Sequence, residues 1–369
     1  MPFQNHIIKP IMQRSLYRII DANFNRAREA LRVIEEFCRF ALNSAPLTER
    51  AKQLRHDLSA CLQHLDANRL ITSRDSLGDV GIGQTVDSQL PRADLKDCFT
   101  ANCKRLTEAL RVLAEMTQTI NPSIAETFER LRFSAYTLEK DVMLFSDTSE
   151  KFKAVKLYVI ISSNLPADVL SLTHRCIAGG ADCIQLRATC SEPVEPKDID
   201  DAQLFDLASE FVRICKEGGV LSIINDRVDI AVAAGADGVH LGQDDLPIDP
   251  ARKLQLTPLI IGKSTHSIEQ LRAACRELPT YVSLGPVFST PTKPTAKPVG
   301  LIYVTQAVGI LKDTGIGHVA IGGITLENIE RVVAAGAEAI AVCSAVTCAA
   351  DTTAACRALK QKITAFNQE

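Results

Sequence analysis

The stretch Gly285-Pro286-Val287-Phe288-Ser289-Thr290-Pro291-Thr292-Lys293 carries the densest chemistry in the sequence. It follows a short apolar run, Tyr281 to Leu284, that reads as a buried strand, and Gly and Pro end that strand. Thr290, Thr292 and Lys293 then bring two hydroxyls and an ammonium within four residues. Hydroxyls and loop N–H groups give directed hydrogen bonds, and lysine gives a point charge, which together suit a phosphate or diphosphate. Taken alone, the stretch reads equally well as an ordinary polar loop.

Other apolar runs end in a similar way. Gln185-Leu186-Arg187 alternates a Gln and an Arg onto one side of a strand. Asn225-Asp226 ends the next run, Gly242-Gln243-Asp244-Asp245 follows another, and Ser264, Gly322-Gly323 and Cys343-Ser344 end three more. Asp226 and Asp245 could share Mg²⁺, which takes one or two carboxylates and completes its shell with water and substrate phosphates. Lys293, Arg187 and the loop hydroxyls would hold those phosphates. The glycine pair, and a helix start expected at Thr325, would offer backbone donors to a second phosphate. The plainer readings are a helix cap for Asp226 and a turn residue before Pro247 for Asp245. His240 lies inside a run and reads as packing. His266 has no Cys or Ser beside it with which to form a nucleophile–base pair.

These residues need a common scaffold, and the second half of the chain supplies its grammar. Buried strands are expected at 155–162, 183–187, 220–226, 238–241, 259–264, 281–286, 318–323 and 339–345, with helices between them, including 201–217, 267–277 and 325–335. Eight short apolar strands alternating with helix-length segments indicate a (β/α)8 TIM barrel, an α/β fold whose chemistry sits at the C-terminal strand ends. Gly180-Ala181-Asp182 and Gly235-Ala236-Asp237 recur before strands, with Gly336-Ala337-Glu338 as a near match, as a repeated helix-to-strand turn should. A doubly wound sheet is the alternative, and no GxGxxG opens the first unit to support it.

The first half has a different grammar. Ala30, Leu31, Val33, Ile34 and Phe37 fit an amphipathic helix. The segment also repeats: Ala22-Asn23, Arg26, Glu29-Ala30-Leu31-Arg32-Val33-Ile34 and Glu36 match Ala101-Asn102, Arg105, Glu108-Ala109-Leu110-Arg111-Val112-Leu113 and Glu115. A second helix follows each copy, and the polar, glycine-rich run from Thr72 to Gly81 separates them. The expected organisation is a tail at 1–14, a duplicated, mostly α-helical domain at 15–145, a linker at 146–153 and the barrel at 154–369. The repeated charges read either as a solvated face of Glu–Arg pairs or as a phosphate pocket drawing on Asn23, Arg26, Arg32, Arg74, Asn102, Arg105 and Arg111.

The gross numbers exclude several classes. A net charge of −3 and the absence of Trp give neither a basic field nor a stacking platform for nucleic acid. Twelve cysteines without a CxxC pair point to a reducing cytoplasm rather than a disulfide framework. No signal peptide or membrane-spanning run is expected, and a homo-oligomer remains open.

The motifs of the second half, in order, resemble the thiamine phosphate synthase family. They are Gln185-Leu186-Arg187, Asn225-Asp226-Arg227-Val228-Asp229, Ala236 to Pro247, Leu284 to Phe288 with Thr290, Thr292 and Lys293, Ala296 to Gly300, Ala320 to Ile324, and Ala341 to Ala345. The resemblance implies a transferase of thiamine biosynthesis. It joins hydroxymethylpyrimidine diphosphate to thiazole phosphate and releases diphosphate. It also implies Mg²⁺ on Asp226 and Asp245, and a pyrimidine diphosphate held by Gln185, Arg187, Asn225 and Ser264. Thr290, Thr292, Lys293, Gly323, Cys343 and Ser344 would hold the diphosphate or the thiazole phosphate, with Lys293 and Ser264 as catalytic residues. One departure stands out: Thr189 occupies a position where the family has lysine. The first half resembles a helical domain fused to such synthases and proposed to phosphorylate hydroxymethylpyrimidine phosphate, which implies ATP, although no Walker-type loop is present. The alternative is a regulatory, thiazole-phosphate-sensing barrel of weak activity on a helical scaffold.

Overall fold

The computed structural model describes residues 3–81, 91–163, 165–188, 199–290 and 295–366. Thr189, Thr292 and Lys293 lie outside the described residues. The chain divides into two compact units between Met143 and Leu144. Among the described residues, no helix is long and apolar enough to cross a membrane.

The first unit contains α1 (Phe3–Glu36), α2 (Ala45–Cys61), α3 (Ala67–Thr72), α4 (Leu95–Thr117) and the part of α5 (Pro122–Phe152) up to Met143. Residues 3–14, expected as a tail, instead form the first turns of α1. The two copies of the repeat are α1 and α4, which pack along each other. The equivalent residues Leu31 and Leu110 meet in one core with Leu58 and Leu106. Equivalent asparagines also behave alike: Asn23 Nδ2 donates to the Ile19 carbonyl at 2.9 Å, and Asn102 Nδ2 to the Cys98 carbonyl at 2.8 Å.

The second unit is a closed, all-parallel barrel in the order β1 to β8. Its strands are β1 (Leu157–Ser162), β2 (Cys183–Arg187), β3 (Leu221–Asn225), β4 (Gly238–Leu241), β5 (Ile260–Thr265), β6 (Tyr281–Leu284), β7 (Gly317–Ile321) and β8 (Ile340–Val342). Helices α6 (Pro166–Ala178), α7 (Asp201–Glu217), α8 (Val228–Ala233), α9 (Ile248–Leu254), α10 (Ile268–Glu277), α11 (Gly300–Leu311) and α12 (Ile329–Ala334) follow the first seven strands in turn. The short α13 (Ser344–Thr347) and then α14 (Thr352–Phe366) follow β8.

Alternation along the strands sends Tyr158, Ile160, Cys183, Ile223, Ile260, Tyr281, Val319 and Ala341 into the barrel, where they form its buried core. The repeated Gly-Ala-Asp turn ties the bottom of the barrel together. Asp182 Oδ2 accepts from the backbone N–H groups of Lys156 and Leu157 at 2.8 Å, and Asp237 Oδ2 accepts from the Ser222 N–H at 3.0 Å and from the Ser222 hydroxyl at 2.9 Å. In the near match, the Glu338 N–H instead donates to His318 Nε2 at 3.2 Å.

Residues 146–153 were expected to be a linker, but α5 runs through them to Phe152. Thr148 and Phe152 lie four residues apart on one helix face, and both are buried. Thr148 accepts a hydrogen bond from Thr280 at 3.0 Å, and the Phe152 ring stacks on Tyr281 at 4.2 Å, 5° from parallel. Glu150, Lys151 and Lys153 are exposed, and their charges give this helix end the polarity of a linker.

Candidate active site

A cavity of about 1070 Å³ opens at the C-terminal ends of the strands. Gln185, Arg187, Asn225, Asp226, Asp245, Ser264, Thr290, Gly323, Cys343 and Ser344 all line it. The two-residue strand period accounts for this: Gln185 and Arg187 follow Cys183 on the inward face, Asn225 follows Ile223, and Ser264 follows Ile260 and Gly262. Asp226 then leaves β3 in the left-handed region (φ 60°), its N–H donating to the His240 carbonyl at 2.9 Å. One oxygen of Asp245 accepts the Gly242 N–H at 2.6 Å, so the carboxylate is oriented by its own turn.

The base of the loop after β6 is fixed from two sides. A carbonyl can only accept, so the 2.5 Å contact between His266 Nδ1 and the Gly285 carbonyl places the ring proton on Nδ1. On the other side, the N–H groups of Val287 and Phe288 donate to the Ile321 and Gly322 carbonyls at 2.8 and 3.0 Å. The glycine pair makes this approach possible. Gly322 and Gly323 have φ of 103° and 64°, and a Cβ on Gly323 would lie 2.4 Å from the Ser289 carbonyl oxygen. The helix start expected at Thr325 is not there. Asn328 Oδ1 takes the Thr325 N–H at 2.9 Å and Thr325 Oγ1 takes that of Glu327 at 3.3 Å, so α12 begins only at Ile329.

The floor of the cavity is a chain of buried polar side chains whose donors can be counted. Tyr158 donates to Gln185 Oε1 at 3.2 Å, and Gln185 Nε2 donates to Asn225 Oδ1 at 2.6 Å. Burial pushes both tyrosine phenols well above their usual range, so each keeps its single proton. Since Tyr158 has used its proton, Tyr281 must donate to it across their 2.9 Å contact. Tyr281 has then used its own, so His240 Nδ1–H donates to Tyr281 at 2.9 Å. On its other side, His240 Nε2 meets the Ser264 hydroxyl at 3.0 Å. The cavity therefore meets the Ser264 hydroxyl and, with Asn225 Oδ1 taken by Gln185, the amide nitrogen of Asn225. Gly262 makes room for the hub, because a Cβ there would come within 2.2 Å of the Tyr281 ring.

The arginines of the helical unit are placed differently. Arg32 pairs with Glu36 and Glu35, and Arg111 pairs with Glu115 at 2.5 Å and Glu129 at 3.0 Å. Arg74 makes a two-pronged contact with Asp21 at 2.7 and 2.8 Å. Arg32 is eleven residues from Asp21 along α1, roughly 16 Å of helix axis, so Arg32 and Arg74 are not brought together. Arg74 has a nearer neighbour: Arg18 reaches the Asp75 carbonyl at 2.8 Å and Asp79 at 3.8 Å, which folds the 73–81 loop onto α1. Arg26 Nη1 donates to its neighbour Asn23 Oδ1 at 3.5 Å, and Arg105 is exposed.

Sequence reasoning missed Tyr158, Tyr281 and His240 in the floor, and His266, Ser289 and Lys297 at the rim, all of which line the cavity. Two lone tyrosines in inward register within apolar strands were the available signal. A divalent ion fits the donor set. Asp226 and Asp245 project from the ends of neighbouring strands into one cavity, while no cluster of three ligating side chains forms among the described residues. Such an open oxygen site matches Mg²⁺, which leaves positions for phosphates and water.

Fold and site together define a (β/α)8 barrel enzyme built to hold phosphorylated small molecules at its rim. Residues 157–346 match the thiamine monophosphate synthase family, and residues 18–141 match the ThiD2 family. The chain is 40% identical to a thiamine-phosphate synthase of Rhodopirellula baltica, over 90% of this chain and 88% of that one. It is 39% identical to one of Nostoc punctiforme, over 90% of each. The thiamine phosphate pyrophosphorylase structure from Pyrococcus furiosus superposes with a TM-score of 0.50 at 31% identity, covering 59% of this chain and 98% of that chain. The chain belongs to the thiamine monophosphate synthase family.

Proposed function

We propose that the barrel condenses hydroxymethylpyrimidine diphosphate with thiazole phosphate, forming thiamine phosphate and releasing diphosphate. The carrying observation is the rim itself: two carboxylates, Arg187 and the Thr290 loop surround a polar floor that presents a hydroxyl at Ser264 and an amide at Asn225. An aminopyrimidine edge offers the complementary pair, an amino donor beside a ring-nitrogen acceptor. Floor contacts orient the pyrimidine, Arg187, Thr290, Thr292 and Lys293 take the diphosphate, and Gly323, Cys343 and Ser344 take the thiazole phosphate.

The methylene–oxygen bond to diphosphate breaks, and the thiazole nitrogen bonds to the freed carbon. Bound Mg²⁺, held by Asp226 and Asp245, would neutralise the departing diphosphate. No strong base is needed, since the leaving group carries away the electron pair. Lys297 lines the cavity and supplies a further cation to its rim. The test is direct: purified chain, both substrates and Mg²⁺, with thiamine phosphate and diphosphate quantified. Binding of thiazole phosphate without turnover would favour the sensing reading.

For the helical unit we propose phosphorylation of hydroxymethylpyrimidine phosphate with ATP. The ThiD2 match supports it, as do Arg18 of α1, which reaches the glycine-bearing loop, and Arg74 on that loop. ATP consumption that depends on the monophosphate, and that is lost in Arg74→Ala, is the expected result. Absence of consumption would leave the unit a scaffold.

A further inference from the structure

Lys263 sits on β5 between Gly262 and Ser264, both of which face the barrel interior, so its own side chain leaves on the opposite face. It is 8% exposed. A packing role there needs only a Leu or Val, and a buried ammonium is costly unless it is hydrogen-bonded. No described carboxylate pairs with it. Its Nζ donates instead to the Gly242 carbonyl at 2.6 Å. Gly242 is the residue whose N–H holds Asp245 Oδ2 at 2.6 Å. A second strand β5 contact, from Gln243 Nε2 to the Ser264 carbonyl, secures the same turn. The peptide groups of the turn are thus clamped from β5, and the clamp ends on one oxygen of a carboxylate that faces the cavity.

We infer that Lys263 is a positioning residue for the cation site: through Gly242 it fixes the orientation of Asp245, so that one carboxylate oxygen is committed to the turn and the other is presented to a divalent ion. The inference rests on the proposed role of Asp226 and Asp245. Lysine suits the task because its three donors and positive charge act without touching substrate. Groups that orient a ligating side chain usually change metal affinity about 10–100-fold when removed.

The experiment measures Mn²⁺ binding to the full chain by electron paramagnetic resonance, with inorganic diphosphate present, alongside the melting temperature. Lys263→Met is expected to weaken Mn²⁺ at least about tenfold. In an Asp245→Asn background the same change should have no further effect, because its target is gone. Gly242→Ala reaches the same bond from the other side, since a Cβ there would lie 2.9 Å from Asp245 Oδ2, and it should weaken Mn²⁺ similarly even if Lys263→Met does not fold. Wild-type chain that holds Mn²⁺ no better than an Asp226→Asn/Asp245→Asn variant overturns the cation site and this inference with it. Wild-type binding with unchanged affinity in Lys263→Met or Gly242→Ala, or an equal loss in the Asp245→Asn background, overturns the role of Lys263 alone.

Discussion

Two populations of cations separate the halves of this molecule. In the helical unit Arg32, Arg74 and Arg111 each close on a carboxylate of the same unit. At the barrel rim, Arg187 and Lys297 line a cavity and close on none of the described carboxylates. The sequence does not distinguish these cases, because both groups recur in patterned, polar surroundings. The repeat even makes the first group look more deliberate. Yet Arg32–Glu36 and Arg111–Glu115 are the same i,i+4 pair made twice, which duplication of a helix preserves without any ligand. The lesson is that a cation is read by what lies within its reach rather than by its recurrence.

The sharpest way to break the contrast is to remove charge at the rim. Asp226→Asn should lower synthase kcat/KM about 100-fold or more while the melting temperature stays within about 2 °C, as expected for a residue acting on the leaving group. Near-normal turnover at limiting Mg²⁺ would erase the distinction drawn for the rim. Arg187→Met comes next, with a loss of about 1.5–3 kcal/mol in transition-state binding, or roughly 10–100-fold in kcat/KM. That loss should grow at low ionic strength; a loss of stability with intact kinetics would move Arg187 into the structural group.

Tyr281→Phe probes the hydrogen-bonded floor between these extremes. It removes the hub hydroxyl, leaving the His240 Nδ1–H without its acceptor and the Tyr158 oxygen without its donor, so about 1–3 kcal/mol of stability should go. KM for the pyrimidine substrate should rise more than KM for thiazole phosphate. An equal rise in both would detach the floor from pyrimidine recognition. The smallest effect belongs to Arg111→Ala. Its exposed pairs contribute about 0.2–0.5 kcal/mol each, erased by salt, and neither activity should change. A large loss of ATP consumption there would return Arg111 to the phosphate pocket. The Glu129 carboxyl, held below its usual range chiefly by the Arg132 hydrogen bond, keeps its main partner in that variant.

Much of the barrel was legible because eight apolar runs, each with polar residues at its C-terminal end, leave few other folds. The rim was legible for the same reason: Gln185, Arg187, Asn225 and Ser264 keep the strand period past the last apolar inward residue. The floor was not, since Tyr158 and Tyr281 disclose their partnership only once the barrel closes and sets hydroxyls from β1 and β6 2.9 Å apart. His240 looked like packing because both ring nitrogens are satisfied inside the wall. Local side-chain bonds defeated the reading at Thr325, where Asn328 supplies a turn in place of a helix start. The polarity of 146–150 concealed an amphipathic helix end whose buried face has only two members.

That helix end has a consequence for how the two halves can be inherited or exchanged. Phe152 closes the bottom of the barrel by stacking on Tyr281, the same ring that organises the floor above. A cut at the polar dip in the sequence would leave the barrel without its stopper and expose the underside of its recognition network. The severable joint lies upstream, at or before Leu144, within a helix that looks as though it belongs wholly to the neighbouring unit. Any transplant of this barrel into another chain must carry that short stem of borrowed helix with it.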